Sequence, residues 1–246
     1  MRKINVAIFN EFVHEQTDPK VAAVYPKGIH QAIADAISSE QDVGDIVMAT
    51  LDNHASVLTQ ECLDNTDVLF WWGHMKHHEV DDAVAERVCK RVIEGMGLVV
   101  LHSGHGSKVF QKLLGTDTGY LRWRESDDKC LVWVVSRGHP IAEGLGEYFE
   151  VPADETYGEQ FGIPEPDELI FLSWFSGGEV FRSGCTFRRG AGKIFYFQNG
   201  HETYPVYYQE EVKKVLRNAL HWTCPYQRKI TYNLGGPNAE PKIRKM

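Results

Sequence analysis

The sequence predicts an α/β fold: a three-layer α/β/α sandwich with a mainly parallel central sheet and an extra β-hairpin in the second half. Three observations carry this. Short, almost wholly apolar runs such as Asp67–Trp72 (DVLFWW) and Leu98–Leu101 read as strands buried on both faces. Segments with helical apolar spacing alternate with such runs through the first half, as βα units require. The second half is richer in β-prone runs, two of them joined by the turn signal Arg188-Arg189-Gly190-Ala191-Gly192.

Taken in order, Lys3–Phe9 is the first strand, and Gly28–Ser39 a helix with Ile29, Ile33, Ala36 and Ile37 on one face. Asp45–Thr50 is a second strand and Ser56–Leu63 a short helix. Asp67–Trp72 is a third strand, its tryptophans Trp71 and Trp72 assigned to the core, and the loop GHMKHHE follows. Asp81–Glu94 is a helix with an apolar stripe of Val84, Ala85, Val88, Val92 and Ile93, ended by Gly95. Leu98–Leu101 is the fourth strand. Cys130–Val135, Phe149–Val151, Leu169–Ser173, Val180–Phe187 and Lys193–Gln198 are the later strands. Val206–Trp222 is a closing helix entered after Pro205 and stopped near Pro225. Residues 1–224 are thus expected to form one domain. The tail 225–246, rich in Pro, Gly, Asn and Lys, is either loosely ordered or laid across a neighbouring subunit.

Composition narrows the function classes. The 246-residue chain is 43% hydrophobic, enough for one sizeable core, and carries a formal charge of −8 with its acidic residues scattered. That balance argues against nucleic acid as a partner. Arg182, Arg188 and Arg189 read as a solvated strand edge. No apolar run approaches the roughly 20 residues of a membrane span, and MRKINVAIFN reads as a strand rather than a signal peptide, so a cytoplasmic protein is expected. The five cysteines are widely separated, with no CxxC pair, and read mostly as buried thiols. The aromatic-rich second half and extended tail favour a homo-oligomer.

The chemistry concentrates where the strands end. Gly97–Ser107, GLVVLHSGHGS, is an apolar strand stopping at a turn of two histidines and glycines. An elbow of this shape ordinarily presents Ser or Cys, but its tip here is His102, which speaks against acyl transfer through a covalent intermediate. Ligands of parallel sheets bind outside the carboxyl ends of the strands. Those ends carry Asn10-Glu11 with His14 and Glu15; His74 with His77 and His78; His102 with His105; and Asn199-Gly200-His201-Glu202. Converging imidazoles either bind a transition metal, with carboxylates completing the shell, or exchange protons near neutral pH. His77 and His78, in a charged loop, are expected to be solvent-exposed. His30, His54 and His221 are expected to be structural, and His139 remains open. In Val151–Gln160, VPADETYGEQ, Asp154 and Glu155 end a strand beside Tyr157. This pattern fits sugar recognition or, equally, a charged surface turn.

Together DVLFWWGH, GLVVLHSGH, HPIAEGL, DETYG, GKIFYFQNGHETYP and RNALHW resemble the ThuA-like (trehalose utilisation) family across most of residues 4–223. The resemblance implies a class I glutamine amidotransferase-like fold, of the flavodoxin-like kind. In the amidotransferase pattern a cysteine stands at the elbow, where this chain has His102, and a His/Glu pair follows a later strand, near His201-Glu202. Cysteine-dependent glutamine hydrolysis is therefore not expected. The resemblance implies instead an enzyme acting on a keto-sugar or disaccharide derivative. His102, His105, His201 and Glu202 would be its catalytic groups; Glu11, His14, Asp154, Glu155 and Tyr157 would contact substrate. His74, His105 and His201 would hold a divalent metal, zinc or manganese. A non-catalytic sugar-binding module and a metal-dependent hydrolase of another small molecule are the alternatives.

Overall fold

Strands buried along their whole length must lie inside a sheet covered on both faces. VLFWW and GLVVL are buried at every position, and they pair side by side inside a nine-stranded sheet in the computed structural model, which describes residues 2–229. Its strands are β1 (Ile4–Asn10), β2 (Val43–Thr50), β3 (Val68–Trp72), β4 (Gly97–Leu101), β5 (Arg122–Val134), β6 (Tyr148–Gly158), β7 (Glu168–Phe175), β8 (Val180–Arg189) and β9 (Gly192–Phe197). The helices are α1 (His14–Thr17), α2 (Pro19–Val24), α3 (Ile29–Ile37), α4 (His54–Val57), α5 (Gln60–Asp64), α6 (Asp82–Ile93), α7 (Lys108–Leu114) and α8 (Glu210–Thr223).

Strand order is β2-β1-β3-β4-β9-β8-β7-β5-β6. The first four pairings are parallel and the last four antiparallel, so the sheet is mixed rather than mainly parallel. Connection length explains the difference. Parallel neighbours need a long crossover, which helices supply between the first four strands; the short turns 176–179 and 190–191 permit only antiparallel pairing of β7 with β8 and of β8 with β9. The expected hairpin is β8–β9.

α3 packs on α8, which also meets β4 and β9; α6 and α7 pack together, and α6 meets β9. Helix α6 approaches so closely that a Cβ on Gly192 would lie 2.1 Å from the Val92 carbonyl. The expected helix over Ser56–Leu63 is instead α4 and α5, because the Thr59 hydroxyl caps a new helix by accepting from Cys62 N at 3.2 Å. The closing helix is likewise divided: a 3-10 turn at Val206–Tyr208 precedes α8, with extended backbone at Gln209 between them.

β6 differs most from expectation. The VPADETYG segment is not a turn after a strand but the strand itself, buried from Asp154 to Gly158. Of its polar side chains, Asp154 finds partners at the carboxyl end of the parallel half and Thr156 donates to Asp128 on β5. At the opposite end Asp67, fully buried, accepts from Arg2, from Arg228 (3.0 Å twice) and from Asn5 N (2.8 Å). Arg228 thereby ties residues 225–229 of the expected tail to this chain's own sheet; residues 230–246 lie outside the described residues.

Candidate functional site

The parallel half brings the carboxyl ends of β1, β3, β4 and β9 to one edge, and β6 reaches the same edge. His102 follows β4 directly, in the left-handed region at φ 52°, where a non-glycine residue is held only by its surroundings. Its buried ring stacks between Trp72 and Tyr157, at centroid distances of 6.3 and 5.5 Å. Nδ1 donates to the Gln198 carbonyl at 3.0 Å, which turns Nε2 to the interior. There it lies 3.2 Å from Glu155 Oε2, yet neither atom has a hydrogen-bond partner.

His201 is aimed from the turn after β9. Asp154 builds that turn: its carboxylate accepts from Asn199 Nδ2 (3.0 Å), Gly200 N (3.1 Å), His201 N (3.1 Å) and Glu155 N (2.9 Å). His201 Nδ1 meets the Thr203 hydroxyl at 2.8 Å, and its Nε2 is buried without a partner. His74 is placed by Glu11, whose carboxylate accepts from His74 N at 2.7 Å and Met75 N at 3.0 Å. Its Nδ1 lies 3.0 Å from Glu202 Oε1, which also takes His14 Nδ1 at 2.5 Å.

One donor atom each from His74, His102, His201 and Glu155 falls within 4.8 Å of all the others. Nδ1 of His102 is engaged by a backbone carbonyl and that of His74 by a carboxylate, the partners that fix metal-bound imidazoles, whereas Nδ1 of His201 accepts from Thr203 N (3.3 Å) beside the Thr203 hydroxyl. Three buried, unpartnered atoms aimed at one point would be costly unless something joins them. The residues fit a divalent cation of the zinc or manganese type.

The surrounding electrostatics are strongly differentiated. Burial pushes His201 down to about 4, with His102 adding to the effect, and pushes His105 down to about 3. Burial alone would raise Glu202, but its bonds to His14 and His74 hold it far below the usual carboxylate range. Burial raises Asp154. It likewise lifts the Tyr157 phenol, whose Oη lies 2.6 Å from Ser103 Oγ.

The cavity over this cluster has a volume of about 370 Å³, and no cysteine lines it. Of the expected metal ligands, His74 and His201 are in the cluster; His105 lies outside it, on the cavity wall, and His102 stands in its place. Glu155 belongs to the cluster and Tyr157 lines the cavity, whereas Glu11 and Asp154, expected at substrate, spend their carboxylates on backbone N–H groups. Glu202 and His14 stand behind His74. His77, expected in solvent, is half-buried and lines the cavity; His78 is exposed. His54 and His139 are structural, each accepting a backbone N–H. Sequence reasoning missed Glu125, whose carboxylate is 3.6 Å from His201 Nε2 and is held above its usual value by burial, Glu155 and Glu202. Its only sequence signal is alternation along Leu121, Trp123 and Glu125, all three of which line the cavity.

A family model described as ThuA, trehalose utilisation, matches residues 5–223. Among solved structures, a protein described as ThuA-like from Parabacteroides merdae is similar with a TM-score of 0.67 at 13% identity, over 92% of each chain. Another from Bacteroides uniformis is similar with a TM-score of 0.65 at 16% identity, over 90% of this chain and 91% of that one. The cytoplasmic protein STM3548 from Salmonella typhimurium follows, with a TM-score of 0.57 at 13% identity, over 90% and 99%. No curated protein matches the chain at a significant level. Among the described residues no helix is long and apolar enough to cross a membrane.

Proposed function

This chain belongs to the ThuA (trehalose utilisation) family, and from that premise we propose that it is an enzyme acting on a keto-sugar or disaccharide derivative. A divalent cation, zinc or manganese, would be held by His74, His102, His201 and Glu155. The observation that carries this reading is the convergence of His102 Nε2, His201 Nε2 and Glu155 Oε2, all buried and unpartnered, in the same cluster as His74.

A bound cation of this kind supplies Lewis acidity toward a carbonyl or hydroxyl oxygen. The chain supplies the rest. The carbon next to a sugar ketone is acidic enough for a positioned base to remove its proton. Glu125 overhangs the cluster from β5 and reaches the cavity with its carboxylate, so it is placed to take that proton. His105 on the same wall is kept neutral by burial and is suited to hydrogen bonding rather than charge. A cysteine nucleophile has no place here: the elbow holds His102, and Cys130 and Cys185 are buried in β5 and β8. Glutamine amidotransferase activity is therefore outside the reading. A cytoplasmic, homo-oligomeric protein with a small sugar as its partner, and neither nucleic acid nor membrane, completes it; the net charge of −8 argues against nucleic acid.

The test combines metal content with turnover. Protein purified without chelator or affinity metal is expected to carry about one equivalent of zinc or manganese per chain, and His102→Ala to lose it. The loaded wild type is expected to consume 3-ketotrehalose. A metal-free protein that is inert toward keto-glycosides would refute the proposal.

A further inference from the structure

The keto-sugar reading leaves open how much of a glycoside the site grasps, and β5 bears on this. Across the β5–β6 ladder Trp123 pairs with Tyr157, and directly opposed residues share a sheet face. The Tyr157 ring stacks on His102, so Trp123 stands on the site's face of the ribbon. Leu121 and Glu125, two residues either way, line the same cavity. Arg122 and Arg124 turn to the other face, where Arg122 donates to the Glu159 carbonyl (3.2 Å) and Arg124 pairs with Asp128 and Glu179.

Trp123 is nevertheless 65% exposed, although tryptophan is on average a highly buried residue. Met75, 58% exposed, is the other exposed apolar side chain lining this cavity. The cavity itself, about 370 Å³, is near the lower end of the range for small-molecule sites. It has room for more than one sugar ring, so with the first ring of a disaccharide against the histidines the second lies toward the mouth, where Trp123 and Met75 are exposed. An indole face offers the C–H face of a pyranose a large, rigid and partly apolar contact.

We infer that Trp123 is the platform of an outer subsite, on which the second ring of a two-ring glycoside stacks while the first occupies the histidine cavity. The inference rests on the keto-sugar reading and adds the size of the substrate. It assigns Trp123 a role in discriminating two-ring from one-ring compounds, with no part in the chemistry.

Calorimetric titration of the wild type, Trp123→Ala and Trp123→Phe with 3-ketotrehalose and with 3-ketoglucose tests it. Trp123→Ala is expected to weaken 3-ketotrehalose about tenfold, equivalent to about 1.4 kcal/mol, and to leave 3-ketoglucose within about twofold. Trp123→Phe, which keeps an aromatic face, is expected to recover most of the loss. Equal losses for both compounds, or none for either, would overturn the subsite while leaving the keto-sugar reading intact. A wild type that binds neither compound would sink that reading and the subsite with it. The exposed position of Trp123 keeps folding out of the comparison, and thermal melts of the variants check this.

Discussion

Replacing Glu202 with Gln isolates the contribution of the carboxylate behind His74. The substitution keeps the volume and one acceptor oxygen but removes the charge. In the wild type Glu202 Oε1 accepts from His74 Nδ1 at 3.0 Å and His14 Nδ1 at 2.5 Å. A hydrogen bond to a charged acceptor contributes about 1.5–3 kcal/mol, against about 0.5–1.5 for a neutral one. The change therefore costs each bond about 1–1.5 kcal/mol. Only the His74 bond bears on a cluster ligand, so the expected loss in metal affinity is about 1.4 kcal/mol, or about tenfold, at the low end of the 10–100-fold typical of such outer partners. The assay is competition for zinc against a chromogenic chelator at fixed pH, with circular dichroism confirming the fold. Zinc affinity within twofold of wild type would refute the argument, since it would mean that His74 needs no oriented donor to do its part.

At the other end of the sheet, burial would raise the Asp67 carboxyl, but Arg228, the Asn5 N–H and Arg2 together hold it below its ordinary value. A depressed carboxyl stabilises the fold above its unfolded pKa and loses that contribution as pH falls through the folded one. Asp67→Asn is thus expected to cost about 3 kcal/mol in urea unfolding at pH 7, with the gap from wild type closing below about pH 4. A gap that stays constant down to pH 3 would contradict the assignment. Burial pushes the Cys130 and Cys185 thiols up to about 12 and Cys89 to about 11, so none of the three is expected to alkylate in native protein within minutes at pH 7. Rapid stoichiometric labelling of any of them, read by mass spectrometry, would reopen a thiol mechanism.

The chain's linear pattern is a good guide wherever one local rule governs. VLFWW and GLVVL are buried on both faces because unbroken apolar runs can be nothing else in a sheet, and the loops after β1, β3, β4 and β9 carry the histidines that meet. The tip of the GLVVLHSGHGS elbow is His102 in the structure as in the sequence, with the positive φ that such a turn demands. The second half is less legible. Asp154, Glu155 and Thr156 have the polarity of a turn, and nothing local reveals that they form a buried strand, because what they meet is far off in sequence: Gly200 and His201 for Asp154, His102 for Glu155 and Asp128 for Thr156.

Sequence alone determined the four strands of the first half and the helices α3 and α6, the absence of a cysteine from the elbow and the family to which the chain belongs. Those follow from apolar periodicity, turn chemistry and motif order, which are properties of neighbouring residues. Tertiary structure alone decided which polar groups work inward and which hold the frame. Glu11 and Asp154 look like ligand carboxylates in the sequence, yet Glu11 is taken up by backbone N–H groups and Asp154 by backbone N–H groups and the Asn199 amide; Glu155, adjacent to Asp154 on an alternating strand, points to the opposite side and joins the histidines. Strand pairing over long sequence separation makes that choice, since a side chain's partners depend on which strand lies beside it and in what register.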